Sequence, residues 1–165
     1  MKMNYKKLVA LLSMVFLVVS FAKAVDEKYI GATKCKMCHN KQFTIWGKSP
    51  HAKAMASLTG TDATNKKCLN CHSTAASVDQ AFVSTITVEE GVSCESCHGP
   101  GSAYRTIPKM KNKQEAMKIG LIEPKEAVCV KCHNSESPNF KGFNYAEYIQ
   151  KENFKHNNPP TPAPN

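Results

Sequence analysis

The residues of this chain with the clearest chemistry are its eight cysteines and the histidines that follow them. The cysteines form four pairs, each with two residues between its members, and a histidine comes directly after every pair. The motifs are Cys35, Cys38 and His39; Cys68, Cys71 and His72; Cys94, Cys97 and His98; and Cys129, Cys132 and His133. This C-x-x-C-H pattern is typical of c-type haem attachment, in which both thiols bond to one porphyrin and the histidine becomes the proximal ligand of the iron.

Two other uses of paired cysteines explain the sequence less well. Four C-x-x-C pairs could form two zinc sites with four cysteines each, and exported proteins often carry disulfides. Neither alternative gives a reason for a histidine after every pair. We therefore predict four covalently attached haem c groups, with the eight cysteines as cofactor-binding residues and the four histidines as iron ligands.

The number of histidines limits how the irons are ligated. Four proximal histidines leave four sixth positions, and only His51 and His156 remain to fill them. Both are predicted to be distal ligands, so at least two irons take another ligand or none. Methionine is the other common sixth ligand, and Met110 is the preferred candidate.

The composition agrees with a chain that wraps around haems. Trp46 is the only tryptophan among 165 residues, and long β-branched runs are absent, so the side chains alone make a small core. Porphyrin faces would supply the missing apolar area. The formal net charge is +9, and because haem propionates would offset a basic excess, no outside acidic partner such as nucleic acid is needed.

The N-terminus has the order of a secretory signal peptide. Lys2, Lys6 and Lys7 precede an apolar run over residues 8–21, and Ala22-Lys23-Ala24 follows it. An uncleaved anchor is the alternative, but a spanning helix needs about 20 apolar residues. We predict cleavage after Ala24, export to the periplasm, and no membrane span afterwards. Residues 25–156 would then form the tetrahaem domain, and the proline- and asparagine-rich residues 157–165 a disordered tail.

The local patterns predict a mainly α fold of short helices and loops around four closely stacked haems, with little regular β structure. Helices are expected at residues 40–47, at 49–58 with Ser49 as N-cap, at 112–119 before Gly120, and from Pro124 into the fourth motif. Residues 60–65 are expected to form a connector and residues 82–88 a short strand. The longest amphipathic helix is predicted at 143–155.

Several segments resemble the cytochrome c554 family, whose members are electron carriers best known from ammonia-oxidising bacteria. The matching segments are residues 34–39, Trp46, Ser49-Pro50-His51-Ala52-Lys53-Ala54-Met55, and residues 91–101 around the third motif. The resemblance implies a mainly α-helical fold with haems in closely stacked pairs.

The same resemblance implies a ligand set. It pairs His51 with the His98 haem and His156 with the His133 haem, and it leaves the His72 iron five-coordinate. Where the family has a histidine for the first haem, this chain has Ile107-Pro108-Lys109-Met110. Met110 would therefore ligate the His39 iron, or that iron too is open.

These features favour an electron-transfer carrier, expected to be a monomer, that exchanges electrons with donor and acceptor proteins and uses exposed lysines to steer docking. No catalytic residue is assigned. The alternative is a reductase or sensor for nitric oxide, or another nitrogen oxide, at an open haem. Tyr104 and Arg105 could line such a pocket, although ordinary surface or propionate-binding roles suit them better. A conductive filament would need more histidines than the chain contains.

Overall fold

A computed structural model describes residues 27–151 of the chain. The predicted signal peptide, the predicted tail and His156 lie outside the described residues. Within them the backbone forms short α-helices, which are α1 (Thr33–Lys36), α2 (Asn40–Gly47), α3 (Lys66–His72), α4 (Thr74–Ser77), α5 (Cys94–His98), α6 (Ile107–Met110), α7 (Lys113–Lys118), α8 (Glu126–Cys129) and α9 (Tyr145–Tyr148). The 3₁₀ helices are Ala54–Ser57, Gly60–Thr64, Gln80–Phe82 and Val88–Glu90. None of these helices is long and apolar enough to cross a membrane.

The mainly α fold is confirmed, and the predicted strand at residues 82–88 is wrong. Between residues 27 and 151 no strand forms, and extended pairing is limited to one parallel bridge between Tyr29 and Val83. A 3₁₀ helix lies at each end of the segment, so the pairing cannot extend. The expected alternation fails as well, because Ile86 is buried whereas Phe82 is half exposed.

Three of the predicted α-helices form at or close to the predicted residues. Helix α2 has the predicted bounds. Helix α7 begins after Asn112, whose side chain accepts a hydrogen bond from the Glu115 N–H, and its chain reverses at Gly120, where φ is +107°. Helix α8 begins at Glu126, two residues after Pro124. The predicted connector at residues 60–65 is a 3₁₀ helix followed by an extended residue.

The predicted helix at residues 49–58 is not an α-helix. The chain makes turns after Ser49 and then a 3₁₀ helix, Ala54–Ser57. The His51 carbonyl accepts hydrogen bonds from the N–H groups of Ala54, at 3.2 Å, and Val92, at 3.0 Å. Because this carbonyl is shared with a distant segment, an i to i+4 helical bond does not form there.

The predicted long helix at residues 143–155 is also wrong over its described part. Only α9 forms, and the chain then turns up to residue 151. Phe143 lies before the helix, with its ring 4.7 Å from the His133 ring and 4.9 Å from the Tyr148 ring. These aromatic contacts bind the segment to the fourth motif instead of continuing a regular helical face. Residues 152–155 lie outside the described part.

The apolar core of the described residues is small, as the composition predicts. The buried apolar residues are Ile30, Ala32, Ala75, Ile86, Ala103, Tyr104 and Ala116, of which four are alanines. Larger apolar side chains are exposed, including Met37, Ile107 and Val130. A protein chain of this length normally buries more large side chains, so a bound apolar group is the natural source of the rest of the core.

Candidate haem-binding site

Each of the four C-x-x-C-H motifs forms one helical turn. In the first and fourth motifs the histidine N–H donates to the carbonyl of the first cysteine, at 2.9 Å for His39 and 3.0 Å for His133. The second and third motifs lie within α3 and α5. Residues three and four apart share one face of a helix, so both thiols and the imidazole of each motif lie on the same side. This is the arrangement that a covalently attached, histidine-ligated haem requires.

Two of the proximal histidines are oriented by backbone carbonyls. His72 Nδ1 lies 2.8 Å from the Ala54 carbonyl oxygen, and His98 Nδ1 lies 3.2 Å from that of Ile122. A carbonyl can only accept, so Nδ1 carries the proton and Nε2 carries the lone pair that ligates a metal. Metal-bound histidines are commonly held by such a second hydrogen bond.

The motifs lie next to one another in a definite order. The Cys35 and Cys94 thiols are neighbours, and their interaction lowers the pKa of Cys35 and raises that of Cys94. Cys132 Sγ lies 4.0 Å from the carbonyl oxygen of Asn70, inside the second motif. Burial, and then the neighbouring Cys71 thiol, raise the pKa of Cys132 to about 12. The first motif therefore adjoins the third, and the second adjoins the fourth.

The third and fourth motifs also lie close to each other. Burial raises the pKa of the Cys97 thiol to about 11, and the charge of the nearby Cys129 contributes to the same shift. The third motif thus adjoins the fourth. Thioether formation would consume all eight thiols, so the pKa values describe the reduced, haem-free cysteines only. The motifs follow one another in space in the order first, third, fourth, second.

Glu95, inside the third motif, is a site residue that the sequence analysis missed. Its side chain is 2% exposed and accepts hydrogen bonds of 2.7–3.0 Å from the backbone N–H groups of Ile30, Gly31 and Gly101. Burial raises the pKa of Glu95, although these donors act in the opposite direction. Since Ile30 and Gly31 directly precede α1, this carboxylate joins the first motif to the third. The only indication of this role in the sequence is an acidic residue between the two cysteines of a motif whose flanking segments contain several glycines.

Thr74 joins the second motif to the third in a similar way. Thr74 is almost fully buried, and its Oγ1 lies 2.5 Å from Ser96 Oγ and accepts a hydrogen bond from the Ser93 N–H at 2.8 Å. Its own N–H donates to the Gly91 carbonyl. The residue that starts α4, directly after the second motif, is thereby fixed against α5.

His51 lies beside the fourth motif. The His51 and His133 rings are 6.0 Å apart and meet edge to face. Burial lowers the pKa of both imidazoles, and His133 lowers that of His51 further. Both rings are therefore neutral near pH 7, the form that ligates a metal. A cavity of about 260 Å³ borders His133, Phe140 and Tyr148. The pairing of His51 with His98 stays a prediction.

The other predicted ligands have less defined surroundings. Met110 is half-buried at the end of α6, and its ligation of the His39 iron stays a prediction. Tyr104 is buried, and its hydroxyl donates to the carbonyls of His98 and Gly99 at 3.0 and 2.9 Å. Tyr104 therefore supports the backbone of the third motif, while Arg105 is exposed.

The residues fit c-type haem better than the two alternatives. All eight cysteines are free of disulfides. No group of three or more histidine, cysteine or acidic side chains within residues 27–151 converges as a metal-ion site. The one-sided motifs, the oriented imidazoles and the sparse core each match a covalently bound, histidine-ligated porphyrin.

Comparisons with known proteins agree with this fit. The family model for cytochrome c554 and c-prime matches residues 34–99, which contain the first three motifs. Cytochrome c-554 of Nitrosomonas europaea is 31% identical over 150 residues, which cover 72% of this chain and 63% of that protein. The C-type polyheme cytochrome OmcC of Geobacter sulfurreducens is 28% identical over 130 residues, which cover 72% of this chain and 16% of that protein. The chain thus spans less than two thirds of either relative's length. No solved structure matches significantly.

The helical fold, the motifs and these matches define a c-type cytochrome, a protein that binds haem covalently. The resemblance to the cytochrome c554 family is confirmed, and residues 34–99 belong to that family.

Proposed function

We propose that this chain is an exported, periplasmic tetrahaem cytochrome that carries electrons between a donor protein and an acceptor protein. The supporting observation is that the four attachment motifs lie close to one another. Each motif adjoins at least one other through its cysteines, so no attachment site is isolated. The haems would supply one-electron chemistry, and the chain fixes which of their sites are neighbours.

The order of the motifs gives the relay two ends. Counted by their cysteines alone, the first and second motifs each have one neighbouring motif, whereas the third and fourth each have two. Glu95 holds the first motif against the third, and Thr74 holds the second near the third. The protein would therefore exchange electrons with its partners near the first and second motifs.

The proposed ligand set follows the histidine count. His39, His72, His98 and His133 are the proximal ligands, and His51 and His156 are distal ligands. Met110 is the candidate for the His39 iron, and the His72 iron stays open. The His51 imidazole, neutral and next to His133, has the protonation state of a ligand.

Reduction of a nitrogen oxide at an open haem is not favoured. The Tyr104 hydroxyl is occupied by two backbone carbonyls, so it does not serve as a distal donor. Arg105 is exposed.

Electron exchange with proteins and turnover of nitric oxide distinguish the two functions. The purified holoprotein is mixed in a stopped-flow instrument with a reduced donor protein and then with an oxidised acceptor cytochrome. The carrier function predicts rapid reduction and complete reoxidation of every haem, with no consumption of nitric oxide beyond binding. Sustained nitric oxide turnover together with slow protein-to-protein exchange would reject the carrier function.

A further inference from the structure

Ser57 is a polar residue that the proposed ligand set does not use, although its side chain lies beside a proximal histidine. It ends the 3₁₀ helix Ala54–Ser57 and is 15 positions from His72 in the sequence. Ser57 Oγ lies 3.2 Å from His72 Nδ1 and donates a hydrogen bond to the Ala54 carbonyl at 2.7 Å. The oxygen of that carbonyl lies 2.8 Å from His72 Nδ1, so the three atoms form a closed triangle.

The position of each hydrogen in this triangle follows from its partners. The Ala54 carbonyl can only accept, so His72 Nδ1 carries a hydrogen. The hydroxyl hydrogen of Ser57 points to the same carbonyl, which leaves the lone pairs of Ser57 Oγ to face the N–H of His72. Ser57 is therefore a second acceptor for His72, and the imidazole divides its hydrogen bond between two oxygens.

The contact with an imidazole distinguishes Ser57 from other serines in helical turns. A hydrogen bond from a serine hydroxyl to a carbonyl three or four residues earlier is ordinary. Ser77 makes such a bond to the Thr74 carbonyl at 2.9 Å, and within residues 27–151 its hydroxyl contacts no histidine. The bond to the carbonyl is thus local, whereas the contact with His72 joins two distant segments.

The segment that carries Ser57 is held in place by the rest of the site. The His51 carbonyl accepts hydrogen bonds from the N–H of Ala54 and from that of Val92, which lies beside the third motif. Ser57 itself is exposed. Because water can satisfy an exposed hydroxyl, folding does not require the contact between Ser57 and His72, and substitutions at an exposed position cost little stability.

The triangle changes the electron donation of His72. A hydrogen bond from the second nitrogen of a ligating histidine raises the basicity of the nitrogen on the metal. A hydroxyl that donates to a carbonyl is polarised and accepts more strongly, so Ser57 adds to the effect of Ala54. A more basic ligand favours ferric over ferrous iron, and second hydrogen bonds of this kind tune haem potentials.

We propose that Ser57 is a positioning residue that lowers the reduction potential of the haem ligated by His72. The inference deepens the proposed function and rests on it, because that function makes His72 a proximal ligand at one end of the relay.

The test is a spectroscopic redox titration of the purified holoprotein with dye mediators. It compares the wild type with Ser57→Ala, with Ser57→Thr, which keeps the hydroxyl, and with Ser77→Ala, which removes a hydroxyl that contacts no histidine. The titration step of the His72 haem is the one that disappears in Cys68→Ala/Cys71→Ala. Ser57→Ala is also made in that background.

We expect Ser57→Ala to shift the equilibrium of the His72 haem with the mediator about threefold towards the reduced form, which is about 28 mV at about 59 mV per tenfold. Ser57→Thr and Ser77→Ala should stay within about 1.5-fold of the wild type. Without the second attachment site, Ser57→Ala should change no potential.

An unchanged or lower potential in Ser57→Ala, an equal rise in Ser57→Thr or Ser77→Ala, or a rise that persists without the second attachment site would overturn this role. The titration uses no donor or acceptor protein, so these outcomes leave the carrier function standing. If the shift appears as expected but the holoprotein exchanges no electrons with other proteins, the role of Ser57 stands and the carrier function fails.

Discussion

Replacing Glu95 with alanine should lower the free energy of unfolding by about 3 kcal/mol or more. Three buried N–H groups would lose their acceptor, and each buried donor left without an acceptor costs about 1–3 kcal/mol. The affected donors are Ile30, Gly31 and Gly101. Chemical denaturation of the holoprotein, followed by far-UV circular dichroism, measures the change.

Glu115→Ala is the control for the Glu95 variant, because Glu115 forms only an exposed ion pair with Lys118. Its effect should stay within about 0.5 kcal/mol. A positioning role for Glu95 also predicts weaker magnetic coupling between two haems in the electron paramagnetic resonance spectrum. Unchanged stability and an unchanged spectrum in the Glu95 variant would refute this role.

Removal of the third attachment site should disconnect the first motif from the rest of the relay. In Cys94→Ala/Cys97→Ala, the first motif loses its neighbour, while the second and fourth remain in contact. Flash reduction by a photoexcited ruthenium complex, followed by absorbance, should show that one of the three remaining haems no longer equilibrates rapidly with the others.

Cys68→Ala/Cys71→Ala is the matched control for that experiment. It removes the attachment site at the opposite end of the relay and leaves the first, third and fourth motifs in contact. All three remaining haems should then equilibrate together. If loss of the second site also isolates a haem, or if loss of the third isolates none, the order of the motifs is different.

The features that sequence could predict are local ones. The motifs, their proximal histidines and the bounds of α2 depend on residues within a few positions of one another, where spacing is decisive. The helical end at Gly120 follows from the same kind of signal. The small core could also be predicted, because it depends only on how few large apolar residues the chain contains.

The features that sequence could not predict depend on distant contacts. The amide partners of Glu95 include Ile30 and Gly31, 65 and 64 positions away. No α-helix forms at residues 49–58, because the His51 carbonyl accepts a hydrogen bond from the distant Val92 N–H. The helix expected at 143–155 is replaced over its described part by a shorter one, because Phe143 packs on the His133 ring. The order of the motifs is equally non-local.

The haem number is tested most directly by the intact mass of the purified protein, produced in a bacterium that attaches c-type haem. The account predicts the mass of the processed chain plus four haem groups, retained under denaturing conditions because thioether bonds are covalent. A chain that carries fewer than four, or that loses haem on denaturation, would contradict the assignment of all four C-x-x-C-H motifs as attachment sites.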